Sequence, residues 1–222
     1  MNEGSYGTSG ICPNTESVIQ EGKNVYGITF AADDGEAWTE AQMIAAIEGV
    51  AAVDRKLWSA GGFRTIMGSV TFLRSSKTQW TDSNGNVHNI DYGAQTFGRT
   101  VEFYDPAFDV GSLDPNFRNN VVHEVGHVFN YAIATGSDAD PYAELGQALG
   151  GTLPSRETFR DGLDPYPWQQ NTRGDSMNSN GELYADGFLN WTYDSFNNEP
   201  EGVQISGWFD AQMSLWVSPS NP

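Results

Sequence analysis

Residues 123–127 read His-Glu-Val-Gly-His, and two of the chain's three histidines stand in this one stretch. On a helix, positions i and i+4 lie on one face a turn apart, so the imidazoles of His123 and His127 point the same way. Two imidazoles at that spacing are a pair of ligands for one zinc ion, and Glu124, one residue after the first, sits beside the metal's open position. A carboxylate there can take a proton from metal-bound water and pass it to a leaving amine. Val121, Val122, Val125, Val128 and Phe129 give the same segment an apolar side. Gly126 costs a helix interior about 1 kcal/mol relative to Ala, so a packing or access requirement is expected to keep it there. The bland alternative is an amphipathic helix whose histidines are satisfied core polar groups.

A catalytic zinc site takes three protein ligands and keeps one position open. A three-histidine pattern would need Gly at position 130 and His at 133, where the chain has Asn130 and Ile133. His88, upstream in an expected turn, is a poor candidate, so the third ligand is sought among downstream carboxylates. Glu182 is preferred. It opens a stretch, Gly181 to Trp191, in which Leu183, Phe188 and Trp191 suggest one apolar helix side, and it shares another side with Asp186 at i and i+4. That pair suits a ligand and an acceptor for the far N–H of a ligating imidazole. Asp138, Asp140, Glu144, Glu157, Asp161, Asp164 and Asp175 compete in the same interval, with Glu144 and Glu157 the runners-up. A solvated acidic helix face is the bland reading of Glu182 and Asp186. For sharing the charge of an oxyanion, His88, Tyr142, Tyr166 and Tyr184 are candidates that the sequence does not rank.

An H-E-x-x-H stretch followed by Glu-x-x-x-Asp on a later helix resembles the gluzincin branch of zinc metallopeptidases, the thermolysin-like arrangement. The resemblance implies that His123, His127 and Glu182 are the ligands, Glu124 the general base and Asp186 the carboxylate that orients the first histidine. It covers about residues 114–195, and only the motifs are specific. The compact length, and the Glu182 segment followed by an aromatic-rich C-terminus, look more like compact, uncharacterised bacterial H-E-x-x-H proteins. The activity implied is a zinc-dependent peptidase acting on a peptide or protein substrate. The rivals are a zinc-binding protein of the same fold with little catalysis, and a hydrolase for a non-peptide substrate.

These residues need elements to hold them. Residues 1–23 lack periodicity and read as a flexible arm. Val25–Phe30 is β-prone. Thr39 is a plausible N-cap for a helix running to about Trp58, which Gly61 and Gly62 end. Phe63–Leu73 is a long β-prone run, Asn84-Gly85 a hairpin-turn signal and Thr100–Tyr104 another strand. The Asp82–Asn86 segment is weakly similar to a calcium loop but lacks the twelve-residue ligand pattern; a turn is preferred over a structural Ca2+ site. A short helix is expected near Tyr142–Leu149, then the Glu182 helix and a C-terminal helix carrying Trp208, Phe209, Met213 and Trp216. The expected class is α+β and, by resemblance, zincin-like: a small twisted, mostly antiparallel sheet backed by helices. Residues 24–134 would form an N-terminal lobe and 135–222 a mainly helical C-terminal lobe. Strand 99–104 would be the edge bordering the cleft, where a peptide could pair.

Composition bounds the rest. With 11 basic and 29 acidic residues the net charge is 11 − 29 = −18, which argues against nucleic acid and anionic membrane as partners. Aromatic residues at 13% are too many for a disordered acidic chain. No run is long enough to span a membrane. Cys12, the sole cysteine, has no internal partner. Plentiful Gly and scarce Lys suggest an exported, extracytoplasmic bacterial protein, secreted as a monomer, with no signal peptide in this chain.

Overall fold

A computed structural model describes residues 15–33, 35–82, 84–108, 116–163 and 179–218. The described residues begin with helix α1 (Thr15–Glu21), followed by a wide π-helical turn over 22–26. The arm expected over 1–23 is therefore helical from Thr15 on, and Val18 and Tyr26 are buried against the core. Strand β1 (Ile28–Ala32) starts later than expected, because its ladder partner begins opposite Ile28, at Val70.

Helix α2 (Glu40–Lys56) has its N-terminus where the sequence puts it. The Thr39 hydroxyl accepts from the Gln42 amide at 3.3 Å while the Gln42 side chain accepts from the Thr39 amide at 2.9 Å, a reciprocal cap. The chain then turns through Gly61 and Gly62, at φ +95° and +83°, a conformation other residues resist.

The β-prone run over Phe63–Leu73 splits in two: a short helix α3 (Phe63–Met67) and strand β2 (Val70–Arg74). Phe63 and Met67, at helical spacing, are both fully buried, and the Phe63 amide donates to the Asp54 carboxylate at 2.7 Å. Packing and that cap override the β-propensity.

Strands β3 (Gln79–Thr81) and β4 (Val87–Asn89) form the antiparallel hairpin that Asn84-Gly85 announces. Strand β5 (Ala94–Phe97) has no counterpart in the sequence reading. It turns back into β6 (Thr100–Phe103).

The main sheet has the order β1-β2-β6-β5, with β1, β2 and β6 parallel and only β5 antiparallel. The fold is α+β as expected, but the sheet is mixed rather than mostly antiparallel. The physical reason is the α2 connection, which carries the chain back so that β2 runs alongside β1. Strand 100–103 lies inside the sheet, so the edge expected at 99–104 is β5 instead.

Among the described residues five helices follow: α4 (Arg118–Gly136), α5 (Pro141–Ala148), α6 (Arg156–Phe159), α7 (Asn180–Tyr193) and α8 (Pro200–Trp216). Helices α2 and α4 pack on each other, and α4 lies against β5 and β6. Ile28, Phe72, Val101 and Phe103 from the sheet meet Val50, Val53, Val121, Val125 and Phe129 in one apolar cluster. The same cluster takes in Phe188, Phe209 and Trp216, running past residue 134, where a lobe boundary was expected and where α4 is unbroken. Among the described residues, no helix is long and apolar enough to cross a membrane.

Candidate metal centre

The His-Glu-Val-Gly-His stretch lies in the first half of α4, with Val121, Val122, Val125 and Val128 all buried. Facing it is α7, whose first turn is fixed by Ser179: the hydroxyl accepts from the amides of Gly181 and Glu182 at 3.1 and 3.4 Å. That cap places the Glu182 carboxylate at the positive end of the helix dipole. The two helices approach closely at Gly126. A Cβ there would stand 3.2 Å from the Ala185 Cα and 3.2 Å from the Phe188 Cβ, which is the packing requirement the sequence implied.

The crossing brings the three expected ligands together. His123 Nε2 is 3.1 Å from one oxygen of Glu182, and His127 Nε2 is 3.5 Å from the other. The three ligand atoms lie within 4.8 Å of one another, and His123, His127 and Glu182 could hold a metal ion. Ligands placed tetrahedrally at zinc's usual distances, about 2.0–2.1 Å, stand roughly 3.4 Å apart, so the donor set fits such an ion.

Behind His123, its Nδ1 is 3.0 Å from Asp186, and both residues are almost completely buried. The other oxygen of Asp186 pairs with the Arg160 guanidinium, from the helical turn that follows α6. The Tyr142 hydroxyl of α5 meets His127 Nδ1. Thr96, on edge strand β5, donates to one carboxylate oxygen of Glu124 at 2.7 Å and so ties the expected base to the sheet edge.

Burial disfavours charge on His123, but the hydrogen bonds and negative charges of Asp186 and Glu182 outweigh it and hold the imidazole well above the ordinary histidine range. Burial likewise opposes the Glu182 charge, and the hydrogen bond from His123, with the charges of His123, His127 and Arg160, pulls its carboxyl well below the usual range. Burial dominates at His127 and lowers it.

The rival carboxylates go elsewhere. Glu144 accepts from the Trp216 indole N–H at 3.0 Å, and Asp140 caps α5 through the Ala143 amide at 3.1 Å. Asp138, Glu157 and Asp161 are exposed, while Asp164 and Asp175 lie outside the described residues. His123, His127 and Glu182 are the one group of candidate ligands found among the described residues.

The oxyanion candidates are scattered. His88 is on β4 rather than in a turn; it stacks on Trp80 with ring centres 4.6 Å apart and contacts Asp82 at 3.2 Å. Tyr184 is fully buried among Tyr142, Phe188, Phe209 and Trp216, and its hydroxyl has no hydrogen-bond partner among the described residues. Tyr142 is committed to His127, and Tyr166 lies outside the described residues. The Asp82 carboxylate accepts from the amides of Asn84 and Asn86 and from the Asn86 side chain. That is a turn that consumes its own oxygens, not a calcium loop.

Thr96, Arg160 and the Tyr142 contact were missed by sequence reasoning. Arg160 had a signal. Arg156 and Arg160, four residues apart, are the only basic residues between His127 and Asp164. Thr96 had none, because β5 itself was not foreseen.

No protein-family model matches this chain, and no curated protein matches it. Fold and site together define an α+β protein with a two-histidine, one-glutamate candidate metal centre.

Proposed function

We propose that the chain is a zinc-dependent hydrolase, a gluzincin-like metallopeptidase in which His123, His127 and Glu182 hold the metal and Glu124 is the general base. The observation that carries the reading is the convergence of Glu182 on both Nε2 atoms while Asp186 stands behind His123. Two imidazoles with one carboxylate match a catalytic zinc set; calcium and magnesium would call for oxygen ligands throughout.

Zinc bound there supplies a Lewis acid and lowers the pKa of a bound water towards about 7. Glu124, anchored by Thr96, takes the proton of the attacking water and returns it to the leaving nitrogen. Asp186, backed by Arg160, keeps the Nδ1 proton of His123 in place, so that Nε2 faces the metal. Among the described residues, one side of β5 has no strand partner. A peptide added there as a further strand runs past Thr96 and therefore past Glu124.

The test is a stoichiometric metal assay on the purified protein, followed by digestion of a diverse peptide library by wild type and Glu124→Gln. The expected result is one zinc per chain in both proteins and cleavage by wild type alone. Equal cleavage by the two, or none by either, would refute the peptidase. Glu182→Ala is expected to lose the metal.

A further inference from the structure

We propose that Tyr142 is a positioning residue of this centre: its hydroxyl orients the His127 ring and accommodates either tautomer of the imidazole, so that the same contact serves the metal-free and the metal-bound protein. The inference rests on the reading of His123, His127 and Glu182 as metal ligands.

The two histidines are backed differently. His123 Nδ1 faces the Asp186 carboxylate, which can only accept, so that nitrogen must carry the proton. His127 Nδ1 faces a phenol, which both donates and accepts. In the metal-free protein, Nε2 of His127 stands 3.5 Å from Glu182 and can carry the proton toward it, with Nδ1 accepting from the tyrosine. When Nε2 ligates a metal, the proton sits on Nδ1 and the tyrosine oxygen accepts. A second carboxylate in this place would favour only one of these states. It would also add negative charge to a site that already gathers Glu124, Glu182 and Asp186.

The phenol is well placed to hold the ring. The Tyr142 amide donates to the side chain of Asn130, on α4 just past His127, at 3.1 Å. The ring lies against Gly181, whose added Cβ would stand 3.2 Å from it, and is 5.4 Å from the Tyr184 ring. Tyr142 is thus held by α4 and by the first turns of α7, the same two helices that carry the ligands. Its rotamer is fixed before any metal arrives.

Zinc affinity, measured by competition with a chromophoric chelator, separates this role from mere packing. Tyr142→Phe keeps the ring and removes the hydroxyl; it is expected to bind zinc about 10- to 100-fold more weakly, the usual effect of losing an outer partner of a ligand. Tyr184→Phe removes a hydroxyl from the same aromatic cluster and is expected to leave the affinity unchanged. Long-range ¹⁵N–¹H spectra of the zinc-loaded wild type, which need no variant to fold, are expected to show His127 protonated at Nδ1. Equal affinities of wild type and Tyr142→Phe, or zinc bound through Nδ1 of His127, would overturn the inference alone. Failure of wild type to take up zinc would overturn the metal-centre reading and the inference with it.

Discussion

Gly126→Ala tests whether the contact between α4 and α7 sets the metal geometry. The new methyl would sit 3.2 Å from the Ala185 Cα, 3.2 Å from the Phe188 Cβ and 3.3 Å from the Phe188 Cδ1. Comfortable carbon contacts are about 3.5–4.0 Å, so the helices must part by roughly 0.3–0.8 Å. The Ala185 atom is backbone, and no side-chain rotation relieves it. Alanine gains about 1 kcal/mol of helix propensity, while overpacking costs about 1–3 kcal/mol. The net is a loss of about 0–2 kcal/mol, or a fall in Tm of roughly 0–8 °C for a domain of this size. The effect on the metal is larger in kind. Glu182 and Asp186 move with α7, and ligand distances tolerate only about 0.2 Å. Zinc affinity is therefore expected to fall at least about tenfold, as it does when an outer partner of a ligand is lost. Thermal unfolding in chelator reads the first quantity and chelator competition the second. A variant that is about 1 kcal/mol more stable and binds zinc as wild type does would refute the reasoning, because propensity alone would then account for it.

Asp186→Asn removes the buried carboxylate that pairs with Arg160 and replaces the charged acceptor of His123 Nδ1 with a neutral one. It is expected to cost the metal-free protein about 3–5 kcal/mol in urea unfolding, with Asp186→Asn/Arg160→Met recovering part of the loss. Tyr184→Phe removes a buried hydroxyl that has no partner among the described residues, and is expected to raise stability by about 1 kcal/mol while peptide hydrolysis is unchanged; a loss of activity would return Tyr184 to the site. Burial alone would raise the Glu102 carboxyl, but hydrogen bonds from Lys77, Ser75 and Tyr104 and the Lys77 charge bring it below its usual value. Since the folded value is the depressed one, its contribution is present above the unfolded value of about 4.3 and is lost as pH falls through the folded value. Glu102→Gln is therefore expected to lower the urea midpoint at pH 7 and to flatten its decline below about pH 4, and an unchanged slope would count against the ion pair.

The candidate ligands were legible because their signal is local. His123 and His127 are four residues apart, as are Glu182 and Asp186, and a helix turns each spacing into a shared face whatever the rest of the chain does. The Thr39 cap and the Asn84-Gly85 turn were readable for the same reason: each acts within a few residues of itself. What failed depended on pairing at a distance. Strand direction follows from α2 carrying the chain from β1 back to β2, and Phe63–Met67 became a helix because its two buried side chains meet a core built from distant segments. β5 is only four residues long, and its Ala and Gln dilute the β-propensity of its Thr and Phe, so pairing with β6 is what makes it a strand.

The same distinction runs through the site. Tyr142 and Tyr184 were equal candidates by residue type, yet one hydroxyl meets His127 and the other is sealed among aromatic rings. Only the packing of α5 and α7 separates them. Gly126 joins the two kinds of information. As a residue it marks a weak place in a helix, and in the folded chain it is the point at which α7 comes close enough for Glu182 to reach both imidazoles. A metal bound there would bridge segments 55 residues apart in sequence (182 − 127 = 55) that already touch without it. The crossing is packed by apolar side chains that need no ligand to hold them. Zinc is then expected to add stability by mass action rather than to organise the fold.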